Sequence, residues 1–428
     1  MSRFQPLRFQ LSLLPYSLLW LLALPLVLAR LVWRARRQAG YLDHVSERFG
    51  SYQVRAPGPV IWLHAVSVGE TRAAEPLVRA MLERWPEHTV VLTHMTPTGR
   101  EASAALFANE SRVLRAYLPY DLGFLATRFL RHFRPDFGII METELWPNLL
   151  ASCHRHQVPV LLANARLSER SARRYARFAA LIRPTFGVLS AIGAQTAADA
   201  ARLGALGARR ISITGNIKFD IDPPPEALPL ACQFRDRIGA RPVILAASTR
   251  EGEEAALLAA FVRHAEPHTL LALVPRHPQR FTEVEALAHA AGLKVQRRSD
   301  NAPLAPDTQV WLGDSMGEMF AYYATADVAL IGGSWLPFGG QNPIEACAIG
   351  VPVLIGPHTF NFQAVAEDAV NVGAARRYAD VNAAMHAAVE LLADAPGRNA
   401  MNEAGRGFAA VNRGATARTL ELLNDMNA

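Results

Sequence analysis

The chain has 428 residues, 50% of them hydrophobic and 19% charged, which supports two domains with buried cores and excludes a disordered chain. Its formal net charge of +6, carried mostly by arginine, suits an anionic partner: nucleic acid, acidic lipid or a phosphorylated substrate. Cys153, Cys232 and Cys347 lie far apart with no CxxC pair, which argues against a disulfide framework or a zinc knuckle and fits a reducing compartment.

The first predicted element is LSLLPYSLLWLLALPLVLA, 11–29, nineteen residues without a charge and near the minimum for a helix that spans a bilayer. Pro15 and Pro25 interrupt it, so a monotopic anchor is the alternative. No small-x-small cleavage site follows, against a removed signal peptide. Arg30, Arg34, Arg36 and Arg37 follow the stretch and Arg3 and Arg8 precede it. This excess places the bulk of the protein on the cytoplasmic side. The expectation is an enzyme held on the inner face of a membrane.

Beyond the anchor, β-rich apolar runs alternate with helical stretches. VIWLHAV (60–66), TVVLTHM (89–95), FGIIM (137–141) and VPVLLANA (158–165) each precede a helical segment, the pattern of a parallel sheet covered on both faces. Three consecutive prolines in IDPPPEALPLA (221–231) make a stiff connector. The pattern then restarts with PVILAAS (242–248), TLLALVP (269–275), VWLGD (310–314), VALIGG (328–333) and VPVLIG (351–356). Two doubly wound α/β domains follow, with ligands expected beyond the carboxyl ends of the strands, in the cleft between domains. The C-terminal ATARTLELLNDM is helical and able to pack across the hinge.

Polar residues gather at the strand ends. In the first domain HAVSVGE (64–70) places Glu70 in a turn that opens a helix. It reads either as a capping box with Ser67 or as a general base, whose ionised form the helix N-terminus favours. METELWPN puts Glu142 and Glu144 at another strand end; no Asp or His cluster accompanies them, so acceptor orientation or structure is favoured over metal. ERSARRYARFAALIRP reads as one helix. It carries Arg170, Arg173, Arg174 and Arg177 on one stripe, and Tyr175, Ala179 and Ile182 on another side. The stripe is either a solvated face or a cationic face for lipid phosphates.

In the second domain ASTREGEE presents Ser248, Thr249 and Arg250, VPRHPQRF presents Arg276 and His277, and GDSMGEMF presents Met316, Gly317 and Glu318. GGSWLPFGGQNPIEACAIG surrounds one short helix with glycines. Asn342 is the expected N-cap, Pro343 the first helical residue and Gly350 the stop. Gly340 and its neighbours allow close approach of a ligand, the helix start is an anion site, and Glu345 either accepts from ribose hydroxyls or completes a capping box. Four polar loops on one sheet edge read as a nucleotide pocket. No GxGxxG follows the first strand, against an NAD oxidoreductase.

Taken together, SVGE, METELWPN, NARLSERS, GNIKFD, VPRHP, GDSMGEM and GGSWLPFGGQNPIEACAIGVPVLIGPHTFNF resemble the lipid A 3-deoxy-D-manno-octulosonic acid (Kdo) transferases over nearly the whole chain after the anchor. The resemblance implies a GT-B fold, α/β, with two Rossmann-like domains facing a cleft. These would be an anchor and basic flank at 1–40, an acceptor-binding domain at 41–221 and a CMP-sugar donor domain at 222–428 that includes the C-terminal helix. It implies transfer of Kdo from CMP-Kdo to a lipid A precursor at the inner membrane, without metal, cofactor or nucleic acid. Carried over by motif, Glu70 is the catalytic base. Ser248, Thr249, Arg250, Arg276, His277, Met316, Gly317, Glu318, Gly340, Asn342 and Glu345 hold the donor. Glu142, Glu144 and Lys218 of GNIKFD lie near the cleft. The rivals are a UDP-sugar-dependent GT-B transferase, a sugar-nucleotide epimerase and a membrane-tethered nucleotide-binding scaffold without chemistry.

Overall fold

The computed structural model describes residues 5–36, 39–220 and 223–427; Arg3 and Arg37 of the expected basic flank, and the domain boundary at 221–222, lie outside them. The chain forms two compact units, residues 1–220 with 413–428, and residues 221–412.

The first unit holds seven parallel strands: β1 (Val60–His64), β2 (Thr89–His94), β3 (Val113–Tyr117), β4 (Phe137–Met141), β5 (Val160–Ala165), β6 (Ala191–Ala194) and β7 (Ile211–Ile213), in the order β3-β2-β1-β4-β5-β6-β7. The second repeats the plan with β8 (Val243–Thr249), β9 (Leu270–Pro275), β10 (Val295–Arg297), β11 (Val310–Leu312), β12 (Val328–Ile331), β13 (Val353–Ile355) and β14 (Ala375–Arg377), in the order β10-β11-β9-β8-β12-β13-β14. Every pairing is parallel, as Val60↔Thr89 and Val328↔Ile244 illustrate. Sequence order reverses between β1 and β4 and between β8 and β12. These are the switch points where ligands enter such sheets.

The central strands are continuously apolar because both faces are covered. Val60 and Trp62 pack against Phe129 and Phe133 on one side, while Ile61 and Leu63 pack against Leu77 and Met81 of the helix Val68–Arg84 on the other. In the second unit Leu271 and Leu330 share a core with Leu257 and Phe261. Five strands escaped the sequence reading: β3, β7, β10 and β14 are sheet edges and β6 adjoins one. VLRAY, ISI, VQR and ARR lack the apolar runs that two-sided burial imposes further in.

The C-terminal helix Ala415–Asn427 belongs to the first unit, not to the second as the sequence boundary had it. Ala415 and Leu423 are fully buried in the core beneath β1, and the Asp220 carboxylate accepts from Gly414 N (2.6 Å) and Thr416 N (2.5 Å). Burial of two apolar residues and a satisfied helix N-terminus decide the placement.

The N-terminal helix runs Gln5–Ala35, and its stretch Phe9–Ala35 is long and apolar enough to cross a membrane. One face nevertheless docks on the first unit. Phe9 and Leu13 pack on Ala151, and Trp20, Leu24 and Val27 pack on Tyr120, Leu122 and Leu125. Leu14, Leu18, Leu22 and Leu26, four residues apart, are exposed. Tyr16 Oη donates to the buried Asp121 carboxylate (2.9 Å), which also accepts from Asn148 N and Leu149 N at the start of the helix Pro147–Arg155.

Candidate active site

At the carboxyl edge of the first sheet, β1 runs into a turn where Ser67 caps the helix Val68–Arg84 and Glu70 is its third residue. Glu70 Oε2 accepts from Val66 N (2.7 Å) and Oε1 from Ser67 Oγ (3.0 Å). Ser67 caps the helix by accepting from Glu70 N (3.4 Å), but the Glu70 carboxylate reaches Val66 N and the Ser67 hydroxyl and not Ser67 N, so the capping box anticipated from sequence is only half made. The helix start does not, however, keep this carboxylate strongly acidic. Burial, seconded by the Glu142 and Glu144 carboxylates, pushes Glu70 up to about 7 against the pull of its hydrogen bonds. Two histidines at neighbouring strand ends add no compensating charge: burial lowers His64 to about 3 and His94 to about 4.

Glu142 follows β4 with φ at +58°, and Asn164 in β5 has φ at +56°. Such backbone is strained for residues with a Cβ and tends to collect at functional sites. Asn164 Oδ1 accepts from Ile217 N (3.1 Å), which fixes the turn carrying Lys218, and Lys218 Nζ meets Glu142 Oε1 at 2.9 Å. Glu144 is raised by burial and then by Glu142. Tyr175 is raised by burial and then by Glu144, so the arginine helix brings its aromatic residue towards this acidic turn.

That helix is shorter than the sequence implied. It ends at Ala176, and a second helix begins at Ala179. Arg177 N and Phe178 N bond three residues back, and Phe178 leaves helical geometry at φ −112°, ψ 35°. Ala179 and Ile182 therefore do not continue the face of Tyr175. Arg170, Arg173, Arg174 and Arg177 are all exposed, with Arg173 paired to Glu169 at 2.8 Å.

At the carboxyl edge of the second sheet three loops are tied together. Ser248 has φ at +56° and lies so close to Gly332 that a Cβ there would meet Ser248 O at 2.4 Å. Gly339, at φ +93°, is similarly closed to side chains by Asn361. Arg276 N donates to Thr249 O (3.0 Å) and Gly340 N to Gly333 O (2.7 Å). Arg250 stacks on the Phe338 ring at 4.6 Å. His277 is lowered by burial and by Arg250, Arg276 and Arg280, so at neutral pH it offers an N–H without a charge. Glu318 is taken by Arg298 (2.9 Å) and Ser315 Oγ, beside exposed Met316 and Gly317.

The short helix Ile344–Ile349 starts one residue later than expected, with Pro343 as its cap. Asn342 still serves it, accepting from Ile344 N at 3.0 Å through its side chain. Glu345 accepts from the Asn342 side-chain amide (3.3 Å), so the contact joins two side chains and is not a capping box. Among the described residues, no three His, Cys, Asp or Glu side chains gather as metal ligands.

Residues 43–221 match the family model described as 3-deoxy-D-manno-octulosonic-acid transferase (kdotransferase), and residues 248–408 that of glycosyl transferases group 1. The chain is 45% identical to the 3-deoxy-D-manno-octulosonic acid transferase of Bordetella pertussis, over 93% of this chain and 96% of that one. It is 38% identical to the enzyme of the same name from Haemophilus influenzae, over 95% and 97%. The chain belongs to the Kdo transferase family. It is a glycosyltransferase and carries the GT-B fold. The crystal structure of UDP-GlcNAc 2-epimerase from Neisseria meningitidis bound to UDP-GlcNAc has a TM-score of 0.58 and 15% identity, covers 86% of this chain and all of that one, and shares the fold alone.

Within this Kdo transferase the first unit brings Glu70, Glu142, Glu144 and Lys218 into one electrostatic group. The second unit bonds the loops of Thr249, Arg276 and Gly340 together and leaves Glu318 on Arg298. Sequence reading passed over Glu253, Glu254 and Arg280, although the paired glutamates of ASTREGEE were in view. Two acids opening a helix look like ordinary dipole complements.

Proposed function

We propose that the protein transfers Kdo from CMP-Kdo to a hydroxyl of a lipid A precursor, lipid IVA, in lipopolysaccharide biosynthesis, with inversion and with Glu70 as general base. The observation that carries this reading is the Glu70 carboxylate raised to about 7 at the switch point of the first sheet. A base with that affinity is both ionised near neutral pH and strong enough to accept a hydroxyl proton. Glu70 takes the proton as the acceptor oxygen bonds to the anomeric carbon. The bond from that carbon to the phosphate oxygen breaks on the opposite face, and CMP leaves with the electron pair.

Arg250, Arg276 and the N–H of His277 are the donors we assign to the leaving phosphate and to the sugar carboxylate. One phosphate is a smaller charge than a sugar diphosphate carries, and we expect the transfer to proceed without metal. The exposed leucines of the N-terminal helix and the arginines between 170 and 177 would hold the phosphorylated, acylated acceptor at the inner membrane.

The test is the mass of the lipid after detergent-purified protein is incubated with CMP-Kdo and a tetra-acylated lipid A precursor. A gain of one or more Kdo units is expected. An unchanged lipid, with folded protein and intact CMP-Kdo, overturns the reading.

A further inference from the structure

The geometry points to Glu253 and Glu254 as positioning residues of the donor site: two adjacent buried carboxylates that set the loops around the nucleotide before it arrives. The inference rests on the donor assignment above and goes beyond it, because neither residue faces the donor in that assignment. Glu253 is 1% exposed and Glu254 fully buried, positions where a charged carboxylate is costly unless it is paired or hydrogen-bonded.

Glu253 opens the helix Glu253–His264. Its Oε2 accepts from Arg250 N (2.8 Å) and Gly333 N (2.7 Å), and its Oε1 from Trp335 N (3.0 Å). It thereby joins the loop after β8 to the turn after β12, across the switch point of the sheet. Gly333 O in turn accepts from Gly340 N (2.7 Å), so the same carboxylate sets the start of the segment that carries Asn342 and Glu345.

Glu254 faces the other way. Its Oε1 accepts from Thr249 Oγ1 (3.0 Å) and from Arg280 Nη1 (2.6 Å) while its Oε2 is buried without a hydrogen-bond partner, and Arg280 also grips Glu283. This ties the loop after β8 to the turn after β9, which presents Arg276 and His277. Arg280 is thus committed to holding that turn, and the donor contacts fall to Arg250, Arg276 and His277. A helix start on a surface needs none of this. A carboxylate that spends both oxygens on backbone N–H groups of two other segments is a cross-link. Cross-links of this kind lower the ordering a ligand must otherwise impose on mobile loops.

The experiment uses the full-length protein and CMP as probe, measuring the CMP dissociation constant by calorimetry and the kinetics with CMP-Kdo. In Glu253→Gln the amide cannot accept from all three N–H groups. We expect CMP binding weakened about tenfold or more, KM for CMP-Kdo raised to match, and kcat at saturating donor little changed. Glu253→Asp, which keeps a carboxylate on a shorter stem, should recover part of the affinity, and it carries the test if the Gln variant does not fold. Leu391→Ala, a cavity in the core of the same unit on the helix Val381–Ala393, which carries none of the assigned donor contacts, should lower the melting temperature and leave the CMP constant unchanged.

Glu253 variants that bind CMP as wild type does, or a Leu391→Ala variant that loses CMP affinity in equal measure, overturn the inference. Wild-type protein that ignores CMP but binds UDP sinks the donor assignment instead. The same variants read against UDP then still decide whether Glu253 positions the loops.

Discussion

The two units repeat one sheet topology and burial raises a switch-point carboxylate in each, Glu70 and Glu253, but the two are given different neighbours. In the first, Glu70, Glu142 and Glu144 crowd one another, Lys218 meets Glu142 by direct contact, and burial lifts Glu70 to about 7. In the second, Glu253 meets three backbone N–H groups, Glu254 meets Thr249 and Arg280, and Glu318 meets Arg298. The difference follows from what each edge must do. Glu70 has two other carboxylates beside it, which favours a proton acceptor, whereas Glu253 is held by backbone N–H groups of three positions, which favours a cross-link between loops. One fold supplies both because the switch point is a place, and the neighbours that crossovers bring there set the chemistry.

The comparison breaks most visibly at Glu70. Glu70→Gln should reduce kcat by about a hundredfold or more while the CMP dissociation constant stays at its wild-type value. In the wild type, kcat/KM should rise with pH through about 7 and level off above it, because the base must be ionised to act and Glu70 is raised to about 7. An enzyme whose rate is flat between pH 5.5 and 8.5 would remove Glu70 from that role.

The next largest effect should fall on stability. Arg280→Met leaves the Glu254 carboxylate buried without its cation, which costs about 3–5 kcal/mol, read by urea unfolding. The Arg280→Met, Glu254→Gln double variant should recover part of the loss, since it removes the stranded charge. No recovery would mean that the guanidinium matters through its packing or through Glu283.

A smaller effect sharpens the first unit. Glu142→Gln removes a negative charge that raises Glu70, so the acid limb of kcat/KM should move to lower pH. Lys218→Met, which strips Glu142 of its partner, should move it higher. Both limbs unmoved would separate this acidic group from the proton transfer.

The smallest expected effect is a matter of linkage. Glu70 binds its proton more tightly folded than unfolded, so between its ordinary range and about 7 the folded wild type loses stability as pH rises. Glu70→Gln lacks that slope. Its melting temperature relative to wild type should therefore climb from pH 4.5 to pH 7.5. A constant offset would show that Glu70 is no harder to ionise in the fold than out of it.

The sequence by itself determined the strand–helix alternation, both parallel sheets in outline and the strand ends where the polar motifs sit. Two-sided burial writes itself as runs such as VIWLH and VILAA, and turns need the glycines, prolines and caps found at Gly332, Ser67 and Asn342. It marked Ser67 as the cap and Glu70 as its partner, but neither the bond from Val66 N to the Glu70 carboxylate nor the strength of that base. Whether that carboxylate is strong or weak as a base depends on how much water reaches it and on Glu142 and Glu144, which lie on another strand.

The Lys218–Glu142 pair joins residues 76 apart; the bonds from Gly333 and Trp335 to Glu253 span 80 and 82 positions; and the C-terminal helix finds its partner back at Asp220. Only the tertiary structure decided these, for a physical reason. Periodicity and turn chemistry act over a few residues. Desolvation and Coulomb interaction act through space, between segments that the crossovers bring side by side.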